Sequence, residues 1–270
     1  MLSKLGAEYL TQPLHVTLAA GVVKLFGGFR TKVKFDLVRR RYHAYSLLQV
    51  ADWAAERGIR TVTAIEAGVA SGQGMRNMID VGALVTKETG VKFQIVGFDM
   101  GTGLPPPRDY RDHPEVWKSG DFKMPDMAEF QRSLPDHARV IVGDVADTIP
   151  AFVKTLTPEA PLGYAVIDVD YYSSARDTMR VLQGPPDCYL PATLVYFDDI
   201  GAVVFPWAND WCGERLAIRE FNETNELRKL QLDVFRKYGR IYKDSDWLDR
   251  VYTLHVLDHK QRRGASDFLR

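Results

Sequence analysis

The chain has 270 residues, enough for one or two domains, and 46% of them are apolar, enough for a large core. Lysine plus arginine number 35, as do aspartate plus glutamate, so no basic surplus points to a nucleic-acid backbone. Two cysteines, Cys188 and Cys212, exclude a disulfide scaffold or a CxxC zinc site and are expected to be reduced and buried.

Met1 to Glu8 lacks the charged segment, apolar run and small-residue cleavage site of a secretory leader. Leu14 to Phe29 is apolar, but it contains Lys24 and three glycines. It also falls short of the ~18 residues that span a bilayer. A cytoplasmic protein with no membrane contact is therefore expected. Residues 1–58 read as helices only. Between Phe35 and Gly58, Leu37, Val38, Tyr42, Tyr45, Leu48, Val50, Ala51 and Ala54 recur at near-helical spacing, and Gly58 suits a helix end. This stretch is expected to form an extension or lid on a catalytic domain at residues 59–270. Its apolar face, Leu14, Val22, Leu25 and Phe26, suits a lid or a contact between copies in a homo-oligomer.

From Val62 onward apolar runs of strand length alternate with helical stretches. The runs are Val62–Glu66, Phe93–Asp99, Ala138–Val142, Gly163–Asp168 and Thr193–Asp198. The helical stretches include Gly74–Lys87, Glu129–Leu134 and Ser174–Leu182. Continuous apolar strands separated by helices predict a mostly parallel sheet covered on both faces. Glu214 to Lys229 reads as an amphipathic helix. Leu232–Tyr238 and Arg250–Leu257 then read as an antiparallel hairpin that ends the sheet. The loop at 101–126, rich in Pro, Asp and Gly, follows the second strand at the end where ligands sit in such sheets. It is expected to be functional; its His113 could reach a substrate, although a surface or packing role is favoured for this and the other histidines.

The first strand runs into Glu66-Ala-Gly68-Val-Ala-Ser-Gly72-Gln-Gly74. Glycines there permit a tight turn and a ligand close to the backbone. Glu66 would repel a pyrophosphate but suits a cation, and S-adenosylmethionine carries an ammonium and a sulfonium. The GxxxGxG spacing also departs from the dinucleotide pattern GxGxxG. The second strand ends at Asp99, which can accept from ribose hydroxyls. The third ends before Asp144 and Val145, suited to an adenine amino group and ring. Three acidic residues on consecutive strand ends describe a nucleoside site.

The fourth strand ends Asp168-Val-Asp170 and the fifth ends Asp198-Asp199. Neighbouring strands would gather Asp168, Asp198 and Asp199, and carboxylates so close repel unless a cation or protons intervene. Hard oxygen ligands suit Mg²⁺, which would lower the pKa of an acceptor hydroxyl. Asp168 is also a candidate general base or a partner of the cofactor ammonium. Asp170 and Asp199 could instead cap a helix or loop.

These segments, with Gly103-Leu-Pro105 and Val142-Gly-Asp-Val-Ala-Asp-Thr-Ile-Pro150, resemble class I S-adenosylmethionine-dependent methyltransferases. More narrowly, the chain is similar to the metal-dependent macrocin O-methyltransferase type, which acts on sugar hydroxyls of natural products. Asp168-x-Asp-x-Tyr-x-Ser174 is the most specific of the shared phrases, although Ala175 stands where that family has threonine. The resemblance spans about residues 60 to 257. It implies metal ligands at Asp168, Asp198 and Asp199, and cofactor contacts at Glu66, Gly68, Asp99 and Asp144. It also implies a Rossmann-like seven-stranded sheet with a terminal antiparallel hairpin. The acceptor would be a small molecule, a sugar or a phenol. Metal-independent transfer, a non-catalytic cofactor-binding partner subunit and an NAD-dependent oxidoreductase are the alternatives. Glu66, the glycine spacing and the hairpin weigh against the last.

Overall fold

The structure is a computed structural model, and it describes residues 13–201 and 209–263. Seven strands form one sheet: β1 (Thr61–Ala67), β2 (Lys92–Asp99), β3 (Ala138–Val142), β4 (Leu162–Ile167), β5 (Tyr189–Phe197), β6 (Arg228–Leu232) and β7 (Val251–Val256). Their order is β3-β2-β1-β4-β5-β7-β6. The first five are parallel, and β7 runs antiparallel between β5 and β6. This is the mostly parallel sheet with antiparallel C-terminal strands that the alternating pattern predicts.

Side chains alternate across the pleat and feed two cores. Val62, Ala64, Ile95, Tyr164, Val166 and Leu194 point to one face. Helices α3 (Arg41–Glu56) and α4 (Gln73–Thr89) cover that face with Leu47, Val50, Met75 and Met78. Ile65, Phe98, Ala165, Ile167 and Phe197 point to the other. It is covered by α6 (Val145–Val153), α7 (Tyr172–Thr178) and α8 (Gly213–Thr224). Helix α3 thus forms a layer of the central core, although it lies within the helical N-terminal stretch. Ahead of it come α1 (Leu14–Phe26) and α2 (Phe29–Lys34), and α5 (Met127–Arg132) and α9 (Lys260–Arg263) complete the helices among the described residues. On α1, Leu14, Val22, Leu25 and Phe26 are exposed in the single chain. No described helix is long and apolar enough to cross a membrane.

Three expectations are corrected. The helix expected over Phe35–Gly58 begins only at Arg41 and ends at Glu56. Asp36 takes a left-handed conformation (φ 51°) after α2, with Leu37 N–H donating to Lys32 O and Asp36 N–H to Val33 O. That is a Schellman stop, made without glycine because the Asp36 carboxylate is drawn into a buried ion pair with Arg240 (2.5 Å). The helix expected over Glu214–Lys229, α8, stops at Thr224. Asn222 turns its side-chain amide onto Leu230, accepting from Leu230 N–H (2.7 Å) and donating to Leu230 O (2.8 Å). This pulls Arg228–Leu232 into the sheet as β6. Of the expected strand Leu232–Tyr238 only Leu232 belongs to the sheet, and the rest is a turn. Asp233 Oδ1 there accepts from Phe235 N–H (3.0 Å), and a 3₁₀ turn follows at Arg236–Gly239.

The Asp36–Arg240 pair ties the N-terminal helices to the C-terminal segment, and both side chains are nearly inaccessible. Removing one partner of a buried pair strands the other charge, at about 3–5 kcal/mol. Asp36→Asn keeps the left-handed tendency and removes the charge, so its urea midpoint should fall sharply. Adding Arg240→Met to Asp36→Asn should recover part of the loss.

Candidate active site

A cavity of about 540 Å³ opens at the C-terminal ends of the parallel strands. Its position follows from the topology. Parallel strands deliver their terminal residues to one edge, and helices leave that edge uncovered where the strand order reverses.

The glycine-rich turn after β1 is shaped by close approach. A Cβ on Gly68 would lie 1.6 Å from the Asp168 carbonyl oxygen, so only glycine lets the tips of β1 and β4 meet. Gly68 lines the cavity. Gly72 has φ 78° and precedes α4, facing the Phe130 ring, while Gly74 lies in the first turn of α4. A Cβ on Gly74 would come within 1.9 Å of Glu66 Oε1, so this glycine makes room for a carboxylate. Glu66 therefore stands behind the turn, almost fully buried, and does not line the cavity. Its Oε2 has no hydrogen-bond partner in the structure. Burial pushes the Glu66 carboxyl up to about 8, against the pull of Arg40 and with the help of Asp99 and Asp198.

Asp99 is held by two backbone amides, accepting from Ala70 N–H (2.8 Å) and Gly101 N–H (2.6 Å). Each oxygen keeps a lone pair for a hydroxyl. Asp144 caps α6 by accepting from Ala146 N–H (2.9 Å), and Val145 follows it. Asp99, Asp144 and Val145 all line the cavity. Acceptor oxygens beside an apolar side chain fit a ribose and an adenine.

At the other end Asp168, Asp198 and Asp199 converge, offering oxygens within 4.8 Å of one another. Asp168 lies well above the ordinary carboxylate range through burial, then through Asp198, Asp199, Asp170 and Glu66. Asp199 is pushed up to about 7 by burial and by Asp198, against Arg250. Its Oδ2 has no hydrogen-bond partner in the structure. Asp198 Oδ1 accepts from Tyr196 Oη–H (2.6 Å) and from Arg250 (3.3 Å). Three crowded carboxylates, one with an orphaned buried oxygen, fit a hard dication.

Sequence reading did not single out three further residues of this site, Glu214, Arg40 and Arg250, and it offered Asp170 only as a possible cap. Glu214, fully buried at the start of α8, accepts from Asp199 N–H through Oε2 (3.0 Å). Asp170 sits left-handed (φ 60°) in the cavity wall, its carboxyl pushed up to about 8 by burial, Asp199 and Asp198. Arg40 and Arg250 bring positive charge from α3's entry and from the turn before β7. No motif marks Glu214, Arg40 or Arg250, since each arrives from a distant part of the chain.

The loop at 101–126 supplies Leu104, Pro105, Arg108, Trp117 and Phe122 to the cavity. Buried Asp112 fastens it, accepting from Ser173 N–H (2.8 Å), Ser173 Oγ–H (3.0 Å) and Arg108 N–H (2.8 Å). His113 does not line the cavity. It is buried, with Nδ1 2.9 Å from Glu115 and its ring against Gly213.

Among known structures, the calicheamicin methyltransferase CalS11 superposes with a TM-score of 0.53 at 18% identity, covering 93% of this chain and 90% of its own. The fold is that of a Rossmann-like methyltransferase. The O-methyltransferase NovP superposes with a TM-score of 0.50 at 16% identity, over 71% of this chain and 75% of its own. No family model matches the sequence, and no curated protein does. The methyltransferase fold is therefore shown by its shape and by the order of its strands.

Raised carboxyls set a pH dependence. Glu66 keeps its proton to about pH 8 when folded but releases it near 4.5 when unfolded. The folded state holds more protons in between, so stability is full below that window and declines as pH rises through it. Asp170 and Asp199 act in the same sense. With EDTA present, the melting temperature should fall from pH 5 to pH 8, and Glu66→Gln should flatten that slope. Superimposable wild-type and Glu66→Gln profiles would contradict the burial of this proton.

Proposed function

We propose that this chain is an S-adenosylmethionine-dependent O-methyltransferase that methylates a hydroxyl of a small molecule with the aid of a divalent metal. The observation that carries this reading is the meeting of two acidic sets in one cavity. Asp99 and Asp144 form the nucleoside end, and Asp168, Asp198 and Asp199 gather at the other. The likeness in fold to a calicheamicin methyltransferase and to the O-methyltransferase NovP supports it, and favours a natural-product acceptor.

Asp168, Asp198 and Asp199 would hold the metal, Mg²⁺ by the chemistry of the donor set. When bound, S-adenosylmethionine supplies the methyl group and the dication favours the ionised form of an acceptor hydroxyl. The remaining work belongs to the chain. Asp99, pinned by two amides, reads the ribose, while Asp144 and Val145 read the base. Asp168, in the cavity wall, is placed to take up the acceptor's proton. Trp117 and Phe122, packed edge to face (5.7 Å), narrow the mouth and exclude water from the reacting atoms. Orientation within one cavity brings acceptor and methyl donor to reacting distance.

The Arg250–Asp198 ion pair favours a second reading. A guanidinium already balances one of the three carboxylates, and Asp168 alone could then serve as base without metal. Manganese binding followed by paramagnetic resonance separates the two. The metal reading expects a bound Mn²⁺ signal that Asp199→Asn abolishes while S-adenosylhomocysteine still binds. Calorimetry with S-adenosylhomocysteine tests the cofactor itself, and Asp99→Ala should weaken that binding by roughly tenfold or more. No heat from the wild-type protein at high micromolar concentration would end the methyltransferase reading.

A further inference from the structure

Of the three carboxylates that meet at the tips of β4 and β5, Asp198 is gripped at both its side chain and its backbone. Its Oδ1 accepts from Tyr196 Oη–H (2.6 Å) and from Arg250 Nη1 (3.3 Å). The same nitrogen donates to the Asp198 carbonyl oxygen (2.9 Å). Both donors to the side chain thus fall on one oxygen, and Oδ2 accepts no hydrogen bond among the described residues. Asp198 nevertheless lines the cavity and supplies one of the oxygens that cluster within 4.8 Å.

The strand explains how this grip arises. Residues two apart on a strand face the same side. Tyr196, the last residue but one of β5, therefore shares a face with Asp198 just beyond the strand's end. Val251 of β7 is the register partner of Tyr196, which brings Arg250, one residue earlier, beside both. Tyr196 is 3% exposed and does not line the cavity, so it can reach a guest only through Asp198. Its ring lies flat on Tyr42 of α3 (3.8 Å, 6°) and belongs to the core of that sheet face. Strand backbone on one side and a stacked ring on the other leave the hydroxyl little freedom. A carboxylate acceptor makes its bond charge-assisted, and so strong and directional.

We propose that Tyr196 is a positioning residue for the divalent metal. Its hydroxyl occupies Asp198 Oδ1 and leaves Oδ2 as the ligand, so this aspartate offers the ion one oxygen in a fixed orientation. The assignment rests on the metal reading above. Partners that hold a ligand from behind set its orientation, and losing one typically lowers metal affinity by about 10- to 100-fold. Without the hydroxyl, only the longer Arg250 contact would keep the carboxylate from turning.

The test uses Mn²⁺ as the probe, followed by paramagnetic resonance, on the full chain and two variants. Tyr196→Phe and Tyr42→Phe each keep the ring and its stack and lose one hydroxyl. Tyr196→Phe should bind Mn²⁺ about 10- to 100-fold more weakly than wild type. The rise in melting temperature that Mn²⁺ gives the wild type should shrink in this variant. Its affinity for S-adenosylhomocysteine should stay at the wild-type value. Tyr42→Phe loses only the hydroxyl that accepts from Arg40, and should bind Mn²⁺ as wild type does. Wild-type Mn²⁺ affinity in Tyr196→Phe would overturn the assignment and leave the metal reading standing. Equal losses in the two variants would overturn it too, since they mark a loosened contact between α3 and β5. A matching loss of S-adenosylhomocysteine affinity in Tyr196→Phe would do the same, because the hydroxyl would then support the whole pocket. A wild-type protein that binds no Mn²⁺ would remove the metal reading, and this assignment with it.

Discussion

Like charges crowded at the rim of a sheet are the constraint around which this molecule is arranged. Five parallel strands deliver Glu66, Asp99, Asp144, Asp168, Asp198 and Asp199 to the same end. Such an assembly repels itself, and the structure answers in three ways. Glu66, Asp170 and Asp199 are raised into the neutral range and hold protons. Asp99 and Asp144 are spread along the cavity and given backbone amides. Asp198 is offset by Arg250. Each answer lowers the repulsion, and all but Glu66 keep their place in the cavity wall.

The second arrangement is mechanical. Helix α3 covers the sheet face with Leu47, Val50 and Ala54, and its N-cap Arg40 and first-turn Tyr42 lie at the rim. The flat Tyr42–Tyr196 stack couples that helix to β5 and its terminal aspartates. The same helix therefore serves the core and the site. A packing change on α3 would be felt at the carboxylates through the two rings.

The strands of the parallel half were legible because their apolar runs are continuous and end in acidic residues, and β1 to β3 lie where the runs predict. The carboxylates came with them, since the C-terminal tips of parallel strands gather at one edge of the sheet. What escaped reading depended on contacts between distant segments. The Asp36 stop exists because Arg240, more than two hundred residues later, is buried beside it. Strand β6 lies at Arg228–Leu232 because Asn222 holds Leu230, whereas the residue pattern alone favoured the more apolar run that follows. Glu66 was legible as an acidic residue beside the turn. Its place behind the wall follows from the space that Gly74 leaves, which no periodicity records. Glu214, Arg40 and Arg250 enter from helices and turns whose sequence carries no site signature.

The fastening of the loop at 101–126 has a consequence for how acceptor choice could change. Asp112 grips Ser173 on α7 through both backbone and hydroxyl. The wall that bears Trp117 and Phe122 is thereby fixed in width before any guest arrives, and selection rests on a preset shape. Chimeras that exchange this segment between related chains should succeed only when the partners of that grip are transplanted together. A loop moved without its serine would carry the right rings on an unanchored frame.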